Sequence, residues 1–510
     1  MRRLYRFLFS RYAVSLAMII LETVLLLLLI LKATELSYIF FILATTVRLM
    51  IVVAIVNSDS NPEYKTSWVT VTLLFPFFGS LLYLIFNKRR MTRREITIGY
   101  EIYGKMKDID DDSWAFDELG RIDSRGAGQA LAIMHGDVSA RVYKNTEPRY
   151  FSSGEAMYES MLSDVLGARE YIFLEYFIIN DGVMWRAIFD ALLKKAGEGI
   201  EVRVLYDDVG CIGRLAEGEV ARLRKAGVRC EAFARVNPSL STVHNNRDHR
   251  KMCIIDGTVA YCGGINIADE YINIGSRFGH WKDGGVRLYG EATRGFVKLY
   301  LQIWSFNLRV CEDFSVYLSP SADVSFGDGY FLPFGSGPSP IYPYPVGKCA
   351  FLNMINQAER YLYVTTPYLI IDFDLTEALR GAAIRGVDVR IVTPGIPDKK
   401  IVKIMTKSAY PRLMEAGVKI YEYSSGFIHE KLMVCDDIYA IIGSINLDYR
   451  SLAHHFECAT WIRSSSLAII TRDEFMNTVS KSKKMSREAS RLTLPELLLK
   501  SIVRFFAPLL

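Results

Sequence analysis

His249-Arg-Lys-Met-Cys-Ile-Ile-Asp256 (HRKMCIID) and, 180 residues later, His429-Glu-Lys-Leu-Met-Val-Cys-Asp436 (HEKLMVCD) decide the fold. Each fits H-x-K-x4-D. Seven residues past each aspartate a glycine opens a matching tail, Gly263-Gly264-Ile265-Asn266 and Gly443-Ser444-Ile445-Asn446. A single match arises by chance in roughly a few per cent of chains this long at average composition. Two with the same tail mark a duplicated unit.

The spacing has a physical reading. Two residues apart on a strand, His and Lys share a face. The aspartate lies five past the lysine, on the opposite parity, at a strand end where the chain turns (Asp256-Gly257, Asp436-Asp437). Asp256 and Asp436 complete the candidate site, and their place at the turn predicts a structural role as hydrogen-bond acceptors. The next strand, 259–262 or 438–442, returns an asparagine to the His and Lys. One repeat thus offers an imidazole (His249 or His429), an ammonium (Lys251 or Lys431) and an amide (Asn266 or Asn446). Ammonium and amide donors suit phosphate oxygens. Two facing repeats would flank one phosphorus with two imidazoles, one attacking and the other protonating the leaving oxygen. A pKa near the free value of about 6.5 would let one be neutral and the other protonated. A nucleophilic imidazole needs an orienting carboxylate; the downstream candidates are Glu457 in HFECA and Asp283 in HWKDG. His135, His244, His280, His454 and His455 have no such setting and read as surface or core residues. No carboxylate or cysteine stands at ligand spacing from the two motif histidines, so neither a metal nor a cofactor is expected.

Outward from the motifs, alternating strands and helices predict an α/β fold. An apolar strand at 171–179 is followed by a helix at 184–195 and a strand at 201–206. The grammar repeats as a strand at 361–365, a helix at 375–385 and a strand at 387–392. Arg222–Val228 (RLRKAGV) returns as RLMEAGV at 412–418. Two tandem α/β domains are expected, at 151–335 and 336–480, after a connector at 91–150.

Half of the 510 residues are hydrophobic, and three apolar stretches, 13–31, 36–56 and 68–86, open the chain. Each nears the length of a bilayer span, so residues 1–90 are expected to form a membrane anchor of two or three transmembrane or re-entrant helices. None is followed by a cleavage site of the signal-peptide kind. Basic clusters at Arg2–Arg11 and Lys88–Arg94 flank the set. Three full spans cannot put both in the cytoplasm. The denser second cluster joins the large polar part, which is therefore placed there; either one stretch is re-entrant or interfacial, or one basic cluster yields. Glu22 and Arg48 fall at similar depth in the first two stretches, a candidate ion pair. Residues 481–510, basic and then rich in Leu and Phe, suit an anionic bilayer surface. A net charge of only +5 argues against a dedicated nucleic-acid binder. The eight cysteines include no C-x-x-C pair and read as buried free thiols.

These residues resemble the phospholipase D superfamily, and within it the bacterial cardiolipin synthases over nearly the whole chain. The resemblance includes IFLEYFII, Asp207-Asp208 with Gly210, NNRDHRKMCIIDG, GGINIADEY, TPYLIID, GFIHEKLMVCDD and GSINLDYRS. It implies two phospholipase D-like α/β domains facing one active site behind amino-terminal transmembrane helices in the cell membrane. It also implies condensation of two phosphatidylglycerol molecules into cardiolipin and glycerol, without metal or nucleotide. His249 then maps onto the nucleophile and His429 onto the acid. Lys251 and Lys431 map onto the phosphate-binding lysines, Asn266 and Asn446 onto the asparagines, and Glu457 onto a carboxylate that contacts the catalytic histidine. Asp283 is less well matched, because Trp281-Lys282-Asp283-Gly284-Gly285 replaces the usual W-R-D-T-H. Rival readings on the same fold are a hydrolase using water and a nuclease.

Overall fold

The computed structural model describes residues 35–75, 78–86, 93–109, 114–235, 246–275, 277–318 and 329–506. The chain forms two compact units, one from residues 1–92, 236–245 and 494–510, the other from 93–235 and 246–493.

The smaller unit holds the hydrophobic start of the chain. The stretch at 36–56 is one helix, Glu35–Val56, with Arg48 near its middle and Phe41, Ile42, Leu43, Met50 and Val53 exposed. The stretch at 68–86 is not one span. It divides into the helices Pro62–Leu74 and Phe78–Phe86, of 13 and 9 residues. Pro62 begins the first of these, where a missing N–H costs nothing, and the Asn61 side chain accepts from Glu63 N at 2.9 Å. Gly79 allows the sharp return, since a Cβ there would lie 2.5 Å from Val71 O. At 1.5 Å per residue neither piece crosses a ~30 Å hydrocarbon core. Among the described residues no helix is long and apolar enough to cross a membrane. The stretch at 13–31, and with it Glu22, lies outside the described residues. Ile55, Trp68, Val71 and Leu82 form this unit's core, and the carboxy-terminal helix Leu494–Phe506 leaves Leu494, Leu497, Leu498 and Ile502 exposed.

The larger unit contains two mixed sheets with one strand order. The first runs Thr146–Phe151, Gly285–Gly290, Val259–Gly263, Lys251–Ile255, Tyr171–Tyr176, Glu201–Asp207, Arg229–Phe233. The second runs Tyr330–Ser336, Glu457–Arg463, Tyr439–Gly443, Leu432–Cys435, Tyr361–Thr365, Asp388–Pro394, Lys419–Tyr423, with Ser482–Lys484 added at the far edge. Tyr171–Tyr176 lies parallel to Glu201–Asp207 and antiparallel to Lys251–Ile255. Its counterpart Tyr361–Thr365 does the same with Asp388–Pro394 and Leu432–Cys435. Both central strands are buried throughout, as continuous apolar runs flanked by helices must be.

Tyr330–Ser336, which straddles the boundary drawn between the two domains at 335, pairs antiparallel with Glu457–Arg463 in the second sheet. It is the counterpart of Thr146–Phe151, which pairs with Gly285–Gly290. Each repeat thus starts with an outer strand that waits for a partner more than a hundred residues away. The helix Ser124–Gly136, in the expected connector, belongs to the same unit; its Gln129 accepts from Trp461 Nε1 at 2.9 Å.

Candidate active site

Each motif histidine and lysine lie at the entry of the motif strand, Lys251–Ile255 or Leu432–Cys435, and a segment of the other repeat fixes the histidine there. Gly426–Ile428 pairs in parallel with His280–Lys282, and His429 N donates to Lys282 O at 2.7 Å. In the mirrored arrangement Asp248 bridges Phe456, and His249 N donates to Phe456 O at 2.8 Å. The residue after each of these carbonyls is a carboxylate, so the pairing decides which acid meets which imidazole. Nδ1 of His249 lies 2.8 and 3.0 Å from the two oxygens of Glu457, and Nδ1 of His429 lies 2.7 Å from Asp283. The pairs are crossed: each repeat supplies the carboxylate for the other's histidine. A carboxylate accepts, so Nδ1 of His249 donates to Glu457 and the other ring nitrogen is left with its lone pair; at His429 the Lys431 ammonium also stands 2.9 Å from Nδ1, beside Asp283.

The two tails differ for a steric reason. A Cβ on Gly264 would stand 2.2 Å from Asp283 Oδ1 and 2.9 Å from His429 O, so only glycine leaves room for the shorter acid. In the second repeat Ser444 takes that place, and its hydroxyl donates to Glu457. Lys251 and Lys431 are buried, and each ammonium donates to the backbone carbonyl of its own histidine. The x residue of each motif ties its strand to the opposite repeat: Arg250 Nε donates to Glu457 O at 3.2 Å, and Glu430 accepts from Tyr150. Asp207 is another positioning group, accepting from Asp248 N at 3.1 Å.

Asn266 and Asn446 are both buried. Asn266 is engaged by protein, its Oδ1 accepting from Ile178 N at 3.0 Å and its amide donating to Tyr271 at 2.6 Å. Asn446 Oδ1 has no partner among the described residues. Asp256 and Asp436 sit at the far ends of the motif strands, in the left-handed backbone region. Asp256 accepts from the amides of Arg169, Glu170 and Tyr171 at 2.7–2.9 Å, and Asp436 from those of Glu359, Arg360 and Tyr361 at 2.8–3.1 Å. These are structural contacts that fasten the start of each central strand.

Burial governs the electrostatics. Burial, with Lys251 next, holds His249 well below the usual imidazole range; burial and Lys431 bring His429 down to about 4. Neither ring keeps the ordinary value expected from sequence. Burial also lowers Lys251 to about 8 and Lys431 to about 7. Burial pushes Asp283 up, but His429 and Lys431 outweigh it and its carboxyl stays below the usual value. Glu457 is pushed well above it by burial. A site so poor in charge when empty can accept an anionic diester: its negative charge would restore the ammonium groups and protonate one imidazole.

Sequence reasoning missed His455. It is buried, its ring lies 5.5 Å from that of His249, and with His249 and Glu457 it forms a group of possible metal ligands within 4.8 Å of one another. No carboxylate stands at ligand spacing from the motif histidines in the sequence; this grouping arises because the fold brings Glu457 and His455 from the other repeat to His249. The neighbouring ammonium groups of Lys251 and Lys431 disfavour a dication and favour an anion. A signal existed in the text, since His455 stands two residues before Glu457, as Trp281 stands before Asp283.

Matches to a family described as cardiolipin synthase, PLD-like domain, cover residues 162–274 and 351–479, and a match described as phospholipase D-nuclease N-terminal covers 47–86. An uncharacterized protein of Streptococcus mutans is 40% identical over 90% of this chain and 99% of its own length. A cardiolipin synthase of Alkalihalophilus pseudofirmus is 35% identical over 81% of this chain and 82% of its own. One from Halalkalibacterium halodurans is 33% identical over 85% and 86%. The crystal structure of phosphatidylserine synthase from Haemophilus influenzae shares the fold, with a TM-score of 0.56 at 14% identity, covering 71% of this chain and 93% of that one.

Proposed function

This chain belongs to the cardiolipin synthase family, and on that premise we propose that it transfers a phosphatidyl group between two phosphatidylglycerol molecules, giving cardiolipin and glycerol. The observation that carries the chemistry is the crossed pair of histidine–carboxylate contacts in one buried site. With Nδ1 engaged by Glu457, the other nitrogen of His249 attacks the phosphorus. A nitrogen–phosphorus bond forms as the bond to the glycerol oxygen breaks, and His429 gives that oxygen its proton. Neutral His429 then takes the proton of the primary hydroxyl of a second phosphatidylglycerol, whose oxygen attacks phosphorus and returns His249 to its starting state. Lys251 and Lys431 bind the non-bridging oxygens. Burial and Lys431 lower His429 to about 4 in the empty site, so its protonation is favoured by binding of the anionic diester.

The amino-terminal helices hold this site at a bilayer in the cytoplasm, where lipid hydroxyls are concentrated. Supporting this are the exposed apolar face of Glu35–Val56 and the basic run at Lys88–Arg94. Bond types on the two sides are equal, so the reaction runs both ways. The test incubates detergent-solubilised protein with phosphatidylglycerol and follows the lipids by mass spectrometry. Cardiolipin should accumulate, and excess glycerol should drive it back. Phosphatidic acid alone, insensitive to glycerol, would mean that water is the acceptor.

A further inference from the structure

Beyond the exchange of Asp283 for Glu457 and of Gly264 for Ser444, the two repeats differ in the ring that lies beside each histidine–carboxylate pair. Trp281 stands two residues before Asp283, and its ring lies over His429 at 5.4 Å and 44°. His455 stands two residues before Glu457, and its ring lies over His249 at 5.5 Å and 42°. One position, in one geometry, thus carries an indole beside one histidine and an imidazole beside the other. An indole offers a single donor. A neutral imidazole offers one donor and one acceptor, and both nitrogens of His455 are buried without a polar partner among the described residues. An orphaned pair of this kind costs stability unless the working complex fills it.

The chemistry of the orphan selects its ligand. A phosphate oxygen only accepts and would satisfy one nitrogen; a cation would satisfy only the other. An alcohol hydroxyl donates and accepts, so it can meet either kind of ring nitrogen, and the two hydroxyls of a polyol can meet both. A nitrogen of His455 lies within 4.8 Å of one of His249, a gap that a single oxygen making two hydrogen bonds of about 2.8 Å can bridge. We propose that His455 is a positioning residue that binds a hydroxyl of the polyol headgroup on the His249 side of the site. It thereby makes the enzyme select glycerol-bearing partners over simple alcohols. The proposal rests on the phosphatidyl-transfer reading above.

The test gives the full-length, detergent-solubilised protein phosphatidylglycerol together with equal concentrations of deuterated glycerol and 1-propanol. Mass spectrometry reads the ratio of deuterated phosphatidylglycerol to phosphatidylpropanol. The wild type should favour glycerol by about tenfold or more, as a site built around a hydroxyl rejects an analogue lacking it. His455→Phe should collapse that ratio towards unity, cutting transfer to glycerol more than transfer to propanol. His455→Asn, which restores a donor and an acceptor, should recover most of it. If the Phe variant does not fold, His455→Leu reads the same ratio. A ratio unchanged in Phe or Leu overturns the proposal and leaves the transfer reading standing. Wild-type protein that makes only phosphatidic acid overturns the transfer reading itself. Activity that a chelator removes and zinc restores would make His455 a metal ligand and also overturn the proposal.

Discussion

Changing Glu457 to Gln should act on a histidine 208 residues upstream. The amide can still touch Nδ1 of His249 but cannot stabilise an imidazolium or enforce the tautomer, so kcat should fall roughly a hundredfold or more with little change in KM. Asp283→Asn should do the same through His429. Single-turnover analysis with a donor whose leaving group needs no protonation would separate the two variants, because only the first should then slow formation of a phosphohistidine on His249. The pH profile carries an independent sign. Lys431 at about 7 and Lys251 at about 8 lose their charge as pH rises, and His429 at about 4 holds fewer protons at every step upward. Therefore kcat/KM, which reports the free enzyme, should fall by more than tenfold between pH 6.5 and 9. A flat profile in initial-rate measurements would show that these groups keep ordinary values. At this scale the sequence offered the histidines, lysines and asparagines because they recur at matching offsets, and Asp283 and Glu457 only as downstream candidates, since the gap from each asparagine differs between the repeats. It could not say which acid meets which imidazole, since a through-space pairing between repeats leaves no local spacing. His455 was passed over because a lone histidine outside a motif has no periodic signature.

At the level of strands, the aspartates at the ends of the two motifs are fasteners. Asp436→Ala would strip three backbone amides of Glu359, Arg360 and Tyr361 of their acceptor where a buried strand begins. The expected loss is about 2–4 kcal/mol, visible as a lower thermal midpoint, with Asp436→Asn recovering part of it. Asp256→Ala should behave alike. Loss of activity with an unchanged midpoint would instead move these residues into the chemistry. The buried strands around the motifs were legible because unbroken apolar runs bounded by turns have few alternatives. The outer strand Tyr330–Ser336 was not read from the sequence, because a short apolar strand does not announce its partner and Glu457–Arg463 lies more than a hundred residues on. The stretch at 68–86 read as one span because hydropathy windows average over Phe75 to Phe78, where Gly79 permits a tight return.

For the whole chain, topology is the open measurement. In a background with Cys311 and Cys349 changed to Ser, a single cysteine placed at position 325 should resist an impermeant maleimide in intact cells and react after lysis. Ready labelling of intact cells would put the catalytic unit outside. The duplicated architecture was legible from the paired motifs; the crossing between its halves was not. That crossing bears on descent and on engineering. A repeat cut out alone would keep its histidine and lysine but lose its acid, which resides in the other half. Two copies of one repeat facing each other across a dyad would regain it, each lending its carboxylate to its twin. In the fused chain the segments around His249 and Glu457, and around Asp283 and His429, are bound to vary together: a length change beside one histidine persists only with a compensating change in the opposite half of the gene.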